Sequence, residues 1–402
     1  MARRILPTFA AVQPPPLITT YILPTFAGLE PYLAQEAEAL GAQRVEAHRR
    51  VVYCQGDKAF RYRANLHLRT GIRVLEEVAY FQVRNERDLY ARLREVDWGK
   101  YLDASGSLWI DTVTQHEGMR NGVYLSQRFK DAVVDQFRER HGQRPDVSKD
   151  DASLYLYLHL DREGYASVSL NSSGPGLHRR GYRKRTGGAP LNEVLAAGML
   201  VIAGYDGSVP FVDPMCGSGT IAVEAALIAS RRAPGLERSF NFERWPDFEA
   251  AEWSGIRQEA LDALTPPSHP ILAADQDELT VQIAKVTLER AKVLQYVTCQ
   301  TRKFAQLQRP AQRPLPERER QGLIVTNPPY EMRLQTGDIE GLYERIGDTL
   351  KQNWAGYSAW LISANFDALK KVGLRTSKKV ALMNGPLPVK YCRYDLYQGS
   401  RK

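Results

Sequence analysis

Residues 211–220 read FVDPMCGSGT, an apolar strand end followed by a glycine-rich turn and the start of a helix. Gly217 and Gly219 allow the backbone to turn tightly and approach a ligand, while the helix start offers free N–H groups to a carboxylate. An ordinary strand-to-helix connection explains this stretch about equally well when it is taken alone. The surrounding sequence therefore has to decide between a ligand site and a plain connection.

Helix and strand patterns alternate through the second half of the chain. Apolar periodicity predicts helices at 191–203, 219–230, 279–293 and 341–354, and strands at 209–213, 271–275 and 323–327. This alternation predicts an α/β fold, a mostly parallel doubly wound sheet with helices on both faces. Such sheets bind ligands at the carboxyl ends of their strands. The glycine-rich turn lies at one of these ends.

The most specific motif is Asn327-Pro328-Pro329-Tyr330, directly after the apolar run LIVT at 323–326. Two consecutive prolines fix the backbone, which can hold the Asn327 amide and the Pro328 carbonyl towards a cleft. A conjugated amine is a poor nucleophile. By accepting hydrogen bonds from the two N–H groups of the amine, these two oxygens would favour the sp³-like nitrogen that attacks a sulfonium methyl group. Tyr330 would offer a flat surface to a base, so we predict all four residues as catalytic.

A second carboxylate, Asp275, ends an apolar run and can accept hydrogen bonds from both hydroxyls of a ribose. A solvated loop aspartate is the simpler interpretation of Asp275 or Asp277 taken alone. The interval from Gly219 to Asp275 is much longer than the roughly 20 residues of a dinucleotide-binding fold. We therefore expect an insertion at about 231–269.

The first half of the chain has a different pattern. Residues 1–20 resemble a proline-containing tail, residues 21–84 and 85–172 two α+β units, residues 173–189 a basic linker, and residues 190–402 the α/β domain. The run HRRGYRKR at 178–185 can neutralise RNA phosphates and stack its tyrosine on a base, although a solvated linker explains the run about equally well. The predicted RNA contacts are Arg179, Arg180, Arg183, Lys184 and Arg185.

Composition excludes few classes of function. The formal net charge of +8 permits binding to nucleic acid without requiring it. The four cysteines form no C-x-x-C pair, and no other metal motif is present, so we expect neither a zinc site nor a disulfide framework. Without a long apolar run, we expect a cytoplasmic protein with no membrane partner. The oligomeric state stays open.

Three motifs occur in the order DPMCGSGT, AADQD and IVTNPPY, preceded by HRRGYR at 178–183 and APLNE at 189–193. With these motifs the chain resembles the RNA guanine-N2 methyltransferases that carry an N-terminal THUMP domain, most closely the 23S ribosomal RNA branch. The resemblance extends from about Tyr21 and includes APGLERSFNFERWPDF at 233–248, so the insertion is a family feature. It implies a ferredoxin-like unit, a THUMP RNA-binding unit and a Rossmann-like methyltransferase domain.

The resemblance also implies S-adenosyl-L-methionine as cofactor and RNA, ribosomal before transfer RNA, as partner. It places Asp275 at the cofactor's ribose and the glycine-rich turn at its methionine part. The expected cofactor site consists of Asp213, Pro214, Cys216, Gly217, Ser218, Gly219, Asp275, Gln276, Lys303 and Asn327. Lys303 departs from the family, which usually has an aspartate facing the adenine amino group. Glu331-Met332 replaces a Gly-Glu pair after the Asn-Pro-Pro-Tyr motif.

Several alternatives remain open from the sequence. Transfer RNA is the alternative substrate, and adenine N6 is the alternative acceptor. A protein glutamine amide requires the same polarisation by an Asn-Pro-Pro-Tyr motif, so a glutamine-N5 methyltransferase is a rival enzyme. A non-catalytic RNA-binding or ribosome assembly factor is the rival from another class, and Lys303 makes it worth testing.

Overall fold

The computed structural model describes residues 18–183, 191–311, 321–329 and 338–397. The elements of the first half are, in chain order, β1 (Thr19–Pro24), α1 (Glu30–Ala39), β2 (Gln43–His48), β3 (Val51–Gly56), α2 (Lys58–His67), β4 (Leu75–Gln82), α3 (Glu86–Glu95), β5 (Ser107–Thr114), α4 (Gly122–His141), β6 (Asp146–Val147), β7 (Leu154–Leu160) and β8 (Tyr165–Asn171).

These strands form one continuous sheet in the order β2-β3-β1-β4-β8-β7-β5-β6. β4 joins the two predicted N-terminal units because it pairs antiparallel with both β1 and β8. Along β7 the leucines are buried and the intervening side chains are partly exposed, so one face of the sheet carries the core. Helix α4 packs Phe129 into that core and ends at His141, followed by Gly142, whose φ of 67° lies in the left-handed region that favours glycine.

The second half alternates helices and strands until its last two strands. Its elements are α5 (Glu193–Ile202), β9 (Phe211–Asp213), α6 (Thr220–Ala229), α7 (Ala250–Asp262), β10 (Ile271–Asp275), α8 (Glu278–Arg290), β11 (Val297–Thr301), β12 (Gly322–Thr326), α9 (Ile339–Asn353), β13 (Tyr357–Ser363), α10 (Phe366–Lys371), β14 (Lys378–Asn384) and β15 (Leu387–Asp395).

The second sheet has the strand order β11-β10-β9-β12-β13-β15-β14. Its first five strands are parallel, and β15 and β14 add an antiparallel edge. Separate apolar clusters lie on its two faces, one around α5, α6 and α8 and the other around α9 and α10. The predicted α/β class, a mostly parallel doubly wound sheet preceded by an α+β region, is confirmed.

The insertion between α6 and β10 packs on the N-terminal half. Phe242 and Trp253 contact the ring of Tyr62 with centroid distances of 4.8 and 5.8 Å. The Arg61 guanidinium lies 2.8 Å from the Asp247 carboxylate. These aromatic and ionic contacts tie the insertion to α2, so the two halves of the chain share a core.

The segment at 173–183, the described part of the predicted basic linker, packs against the second half of the chain. Arg180 is buried, and its Nε donates to Glu224 Oε1 of α6 at 2.7 Å. Tyr182 is also buried and donates its hydroxyl hydrogen to the same oxygen at 2.9 Å. Arg183 contacts Thr220 and lies 3.2 Å from the Glu193 carboxylate.

The prediction of RNA contacts is therefore wrong for Arg180, because its charge is neutralised inside the protein. The stacking role given to Tyr182 is wrong for the same reason. Arg183 is largely covered and already paired, which contradicts a role as a free phosphate contact. Arg179 is exposed, and Lys184 and Arg185 lie outside the described residues.

Candidate functional site

The glycine-rich turn connects the end of β9 to the start of α6. Gly217 and Gly219 have φ angles of 53° and 83°, in the left-handed region that favours glycine. A Cβ on Gly219 would lie 3.1 Å from the Cβ of Ala284, so the turn closely approaches α8. A Cβ on Gly217 would meet no heavy atom within 4 Å among the described residues, so this part of the turn faces open space.

Asp275 connects β10 to the glycine-rich turn. Its Oδ2 accepts a hydrogen bond from the Gly217 amide at 3.1 Å, and its Oδ1 accepts one from the Asp277 amide at 3.1 Å. Each carboxylate oxygen has a second lone pair, and the side chain is half-buried and lines a cavity. Asp275 can therefore hold the turn and still accept a hydrogen bond from a hydroxyl of a ligand.

Asp213 lies fully buried below the turn, at the end of β9. Its Oδ1 accepts a hydrogen bond from the Met215 amide at 3.4 Å. Burial raises the pKa of this carboxyl to about 7, although the Thr326 hydroxyl and the Met215 amide favour the charged form. Asp213 thus supports the turn from below, and its charge depends on pH. It does not line the cavity.

The raised pKa of Asp213 predicts that stability falls as pH rises. The unfolded carboxyl loses its proton near pH 4 and the folded one near pH 7, so rising pH favours the unfolded state across this interval. We expect Asp213→Asn to remove up to roughly 4 kcal/mol of this pH dependence. Urea unfolding of the ligand-free protein between pH 4.5 and about 8 measures it.

Asp277→Asn provides the matched control. Hydrogen bonds from Thr280 lower the pKa of Asp277, so its contribution to stability is present above the unfolded pKa and disappears as pH falls below it. Between pH 5 and 8 this variant should differ from the wild type by a constant amount. Equal pH dependence in the wild type and Asp213→Asn would contradict the assignment to Asp213.

Asn327 follows β12, the strand next to β9. Its Oδ1 is buried and accepts no hydrogen bond from the protein among the described residues. Pro328 and Pro329 continue the chain through trans peptide bonds and line the same cavity as Asn327. A buried amide oxygen without a partner costs about 1–3 kcal/mol, so this arrangement is suited to a ligand that donates a hydrogen bond. Tyr330 lies outside the described residues.

A cavity of about 980 Å³ opens at the carboxyl edge of the second sheet, where both motifs end. Six of the ten predicted cofactor residues line it: Pro214, Gly217, Asp275, Gln276, Lys303 and Asn327. Four do not line it: Asp213, Cys216, Ser218 and Gly219. Cys216 instead shapes the turn, because its amide donates to the Ala274 carbonyl at 2.8 Å and its carbonyl accepts from the Gly219 amide at 2.8 Å.

Several lining residues were not predicted from the sequence. Helix α9 contributes Leu342, Arg345, Ile346 and Thr349, whose spacing of three and four residues places them on one helix face. That periodicity is a signal the sequence contains. Phe304 covers another part of the wall beside Lys303. Phe26 reaches the cavity from the N-terminal half, and no local sequence pattern indicates this.

Neither a metal cluster nor a membrane-spanning helix occurs within the same ranges. No group of three or more histidine, cysteine or acidic side chains in the described chain is arranged to hold a metal ion. Within residues 18–183, 191–311, 321–329 and 338–397, no helix is long and apolar enough to cross a membrane.

Three family models match the chain. They describe an RlmL ferredoxin-like domain at residues 20–75, a THUMP domain at 83–170 and an RMKL-like methyltransferase domain at 180–393. A Synechocystis protein named "Putative RNA methyltransferase" is 34% identical over 94% of this chain and 97% of its own length. The sheet, the turn and the cavity are those of a Rossmann-like methyltransferase, and the chain belongs to the RMKL-like methyltransferase family.

Further comparisons agree with this assignment. The ribosomal RNA large subunit methyltransferase K/L of Pseudomonas aeruginosa is 37% identical over 90% of this chain, which spans 51% of that protein. The chain thus spans about half the length of the K/L relatives it matches. A solved structure described as a possible methylase from Clostridium difficile 630 has a TM-score of 0.83 and 27% identity, covering 96% of this chain and 100% of the other.

Membership of this methyltransferase family makes S-adenosyl-L-methionine the cofactor, as the sequence predicts. The residues around the cavity fit it. Gly217 leaves open space at the turn, Asp275 has acceptor capacity for hydroxyls, and Phe304 provides an apolar wall. Among the described residues, the buried Asn327 Oδ1 is an acceptor without a partner in the wall of the same cavity.

Proposed function

We propose that the chain transfers the methyl group of S-adenosyl-L-methionine to the exocyclic N2 of a guanine in structured RNA, with 23S ribosomal RNA as the substrate. The buried Oδ1 of Asn327, which has no partner among the described residues and lies at the wall of the cavity, carries this proposal. Two observations support RNA as the substrate: relatives are named ribosomal RNA large subunit methyltransferase K/L, and residues 83–170 match a THUMP domain. The choice of guanine N2 as the acceptor atom is the more specific part of the proposal.

Asn327 polarises the target amine in the proposed reaction. Its Oδ1 accepts a hydrogen bond from one N–H of the amine, and the Pro328 carbonyl accepts one from the other N–H. These two bonds localise the nitrogen lone pair for attack. The bound cofactor would supply an electrophilic methyl group: as the N–C bond forms, the methyl–sulfur bond breaks, S-adenosylhomocysteine leaves as a neutral thioether, and the amine loses one proton to solvent. Positioning and polarisation supply the catalysis, so the reaction requires no metal. Tyr330, and the cofactor contacts predicted for the turn, remain part of the proposal.

The predicted cofactor residues other than Asn327 divide into two proposed roles. Pro214, Gly217, Asp275, Gln276 and Lys303 contact the cofactor directly. Asp213, Cys216, Ser218 and Gly219 act through the shape of the turn, because none of them lines the cavity. The domain division into a tail at 1–20, units at 21–84 and 85–172, a basic linker at 173–189 and a catalytic domain at 190–402 stays a prediction.

Arg179 is the exposed member of the basic run among the described residues, so we expect it to contact phosphate. Arg179→Ala should lower the slope of log K against log salt by about one, because one phosphate contact releases about one counterion. Binding to an unmodified ribosomal RNA transcript at several salt concentrations measures the slope. An unchanged slope would remove Arg179 from the interface. Arg92→Ala, an exposed arginine on α3 paired with Glu95, serves as the charge-matched comparison.

Methyl incorporation tests the proposed function against its rivals. Purified protein and labelled S-adenosyl-L-methionine are offered separately to unmodified ribosomal RNA, unmodified transfer RNA and cell protein. We expect label in ribosomal RNA. Label confined to transfer RNA would change the substrate, label confined to protein would favour the glutamine-N5 rival, and cofactor binding without any transfer would favour a non-catalytic RNA-binding or assembly factor.

A further inference from the structure

Phe26 is a cavity residue that the methyltransferase half does not supply. It lies between β1 and α1 in the N-terminal half, and its side chain is half-buried. The backbone on both sides is held by hydrogen bonds, from the Thr25 amide to the Arg50 carbonyl at 2.9 Å and from the Leu29 amide to the Phe26 carbonyl at 3.0 Å. The Thr25 hydroxyl also donates to the Thr70 carbonyl at 2.6 Å.

The turn that carries Phe26 packs against the core of the methyltransferase half. Gly28 has a φ of 92°, and a Cβ at this position would lie 3.0 Å from Leu382 Cδ2 and 3.1 Å from the Ala381 carbonyl oxygen of β14. Leu29 is fully buried and packs so closely on α5 that a Cβ on Gly198 would lie 2.6 Å from it. This packing of Gly28 and Leu29 fixes Phe26 at the wall of the cavity.

Strand order divides the cavity into two parts. The proposed cofactor residues follow β9, β10 and β11, on one side of β12 and Asn327. The turn at 384–387, between β14 and β15, lies on the other side of Asn327 and also lines the cavity. It lies at the same edge as Asn327 because β15 pairs antiparallel with β13, with Ser363 opposite Lys390.

Phe26 belongs to the second part. The turn that carries it contacts β14 through Gly28, the strand that leads directly into the turn at 384–387. In an in-line transfer the acceptor nitrogen lies opposite the sulfur across the methyl group, so an acceptor that faces Asn327 would lie on the side of Asn327 away from the proposed cofactor residues. The part of the cavity bounded by Phe26 and Leu387 is therefore the part available to the acceptor.

We propose that Phe26 forms an aromatic wall of the acceptor site and stacks on the target base. This inference rests on the proposed function, because it requires an RNA base as the methyl acceptor. Stacking on an aromatic ring holds a base without reading its hydrogen-bonding edge, so the exocyclic amine stays free to face Asn327. The N-terminal half then completes the acceptor site as well as carrying the match to a THUMP domain.

Substitutions at Phe26 test this role through the kinetic parameters for RNA. We expect Phe26→Ala to lower kcat/KM for an unmodified ribosomal RNA transcript by roughly 10- to 100-fold, the loss of one base-stacking contact. The Kd for S-adenosyl-L-methionine should stay within about twofold, because the cofactor occupies the other part of the cavity. Phe26→Tyr and Phe26→Trp should restore most of the activity.

Two further variants separate stacking from packing. Phe26→Leu keeps an apolar side chain at this position but removes the aromatic ring. It should therefore fail to restore activity. Tyr32→Ala removes an aromatic side chain that packs on the same core from α1 but does not line the cavity, and it should retain activity within about threefold.

Three outcomes would overturn the proposal: wild-type activity in Phe26→Ala, full activity in Phe26→Leu, or an equal loss in Tyr32→Ala and Phe26→Ala. A wild-type protein that methylates no RNA would instead overturn the proposed function itself. The two failures are therefore distinguishable in one set of assays.

Discussion

Asn327→Ala is expected to lower kcat by roughly 10²- to 10³-fold, the usual effect of removing one polarising hydrogen-bond partner from an active site. The Kd for S-adenosyl-L-methionine should stay within a few-fold of the wild type. The physical reason is that Asn327 Oδ1 has no partner in the described protein and, in the proposed reaction, accepts a hydrogen bond from the amine of the acceptor. Single-turnover methylation and equilibrium cofactor binding measure the two quantities separately.

Asn353→Ala is the matched control for this variant. Asn353 ends α9, the helix whose face lines the cavity, and it donates a hydrogen bond to the Ala305 carbonyl at 3.3 Å on the exposed surface. Its replacement should leave kcat unchanged. A large loss of cofactor binding in Asn327→Ala would contradict the role given to Asn327, because it would place that side chain at the cofactor.

Arg180→Met is expected to destabilise the protein by roughly 3–5 kcal/mol, because it leaves a buried carboxylate without its cation. The Arg180 and Glu224 side chains are 2% and 0% exposed, and Arg180 Nη2 also donates to the Arg69 carbonyl at 2.8 Å. This cluster joins the segment after the first sheet to α6, the helix that begins at the glycine-rich turn. Urea unfolding of the ligand-free protein measures the loss.

Two comparisons isolate the buried charge. Arg179→Met removes the neighbouring exposed arginine and should change stability by no more than about 0.5 kcal/mol. Arg180→Met combined with Glu224→Leu removes both charges and should recover a large part of the lost stability. Wild-type stability in Arg180→Met would show that this pair does not hold the two halves together.

Regular packing explains why much of the fold was predictable. Strands β9, β10 and β12 are buried on both faces, so their apolar runs stand out in the sequence. Strands β13, β14 and β15 were not predicted, although Tyr357–Ser363 is buried throughout and VKYCRYD at 389–395 alternates charged and apolar residues. The length of the insertion was predictable, but its packing on α2 depends on contacts between distant parts of the chain.

The candidate site was predictable only where a local motif defines it. Asn327 and Asp275 end buried strands, so their position at the carboxyl edge follows from the strand pattern. Arg180 was misassigned because a run of positive charges does not reveal a buried acidic partner 44 residues away. Phe26 was missed because its place at the cavity depends on the docking of the two halves.

Nucleoside analysis of labelled RNA tests the central claim most directly. Unmodified 23S ribosomal RNA is incubated with labelled S-adenosyl-L-methionine and either the wild type or Asn327→Ala, then digested to nucleosides and separated. We predict that the label elutes as N2-methylguanosine with the wild type and is nearly absent with Asn327→Ala. Label in N6-methyladenosine, or undiminished label with Asn327→Ala, would contradict the account.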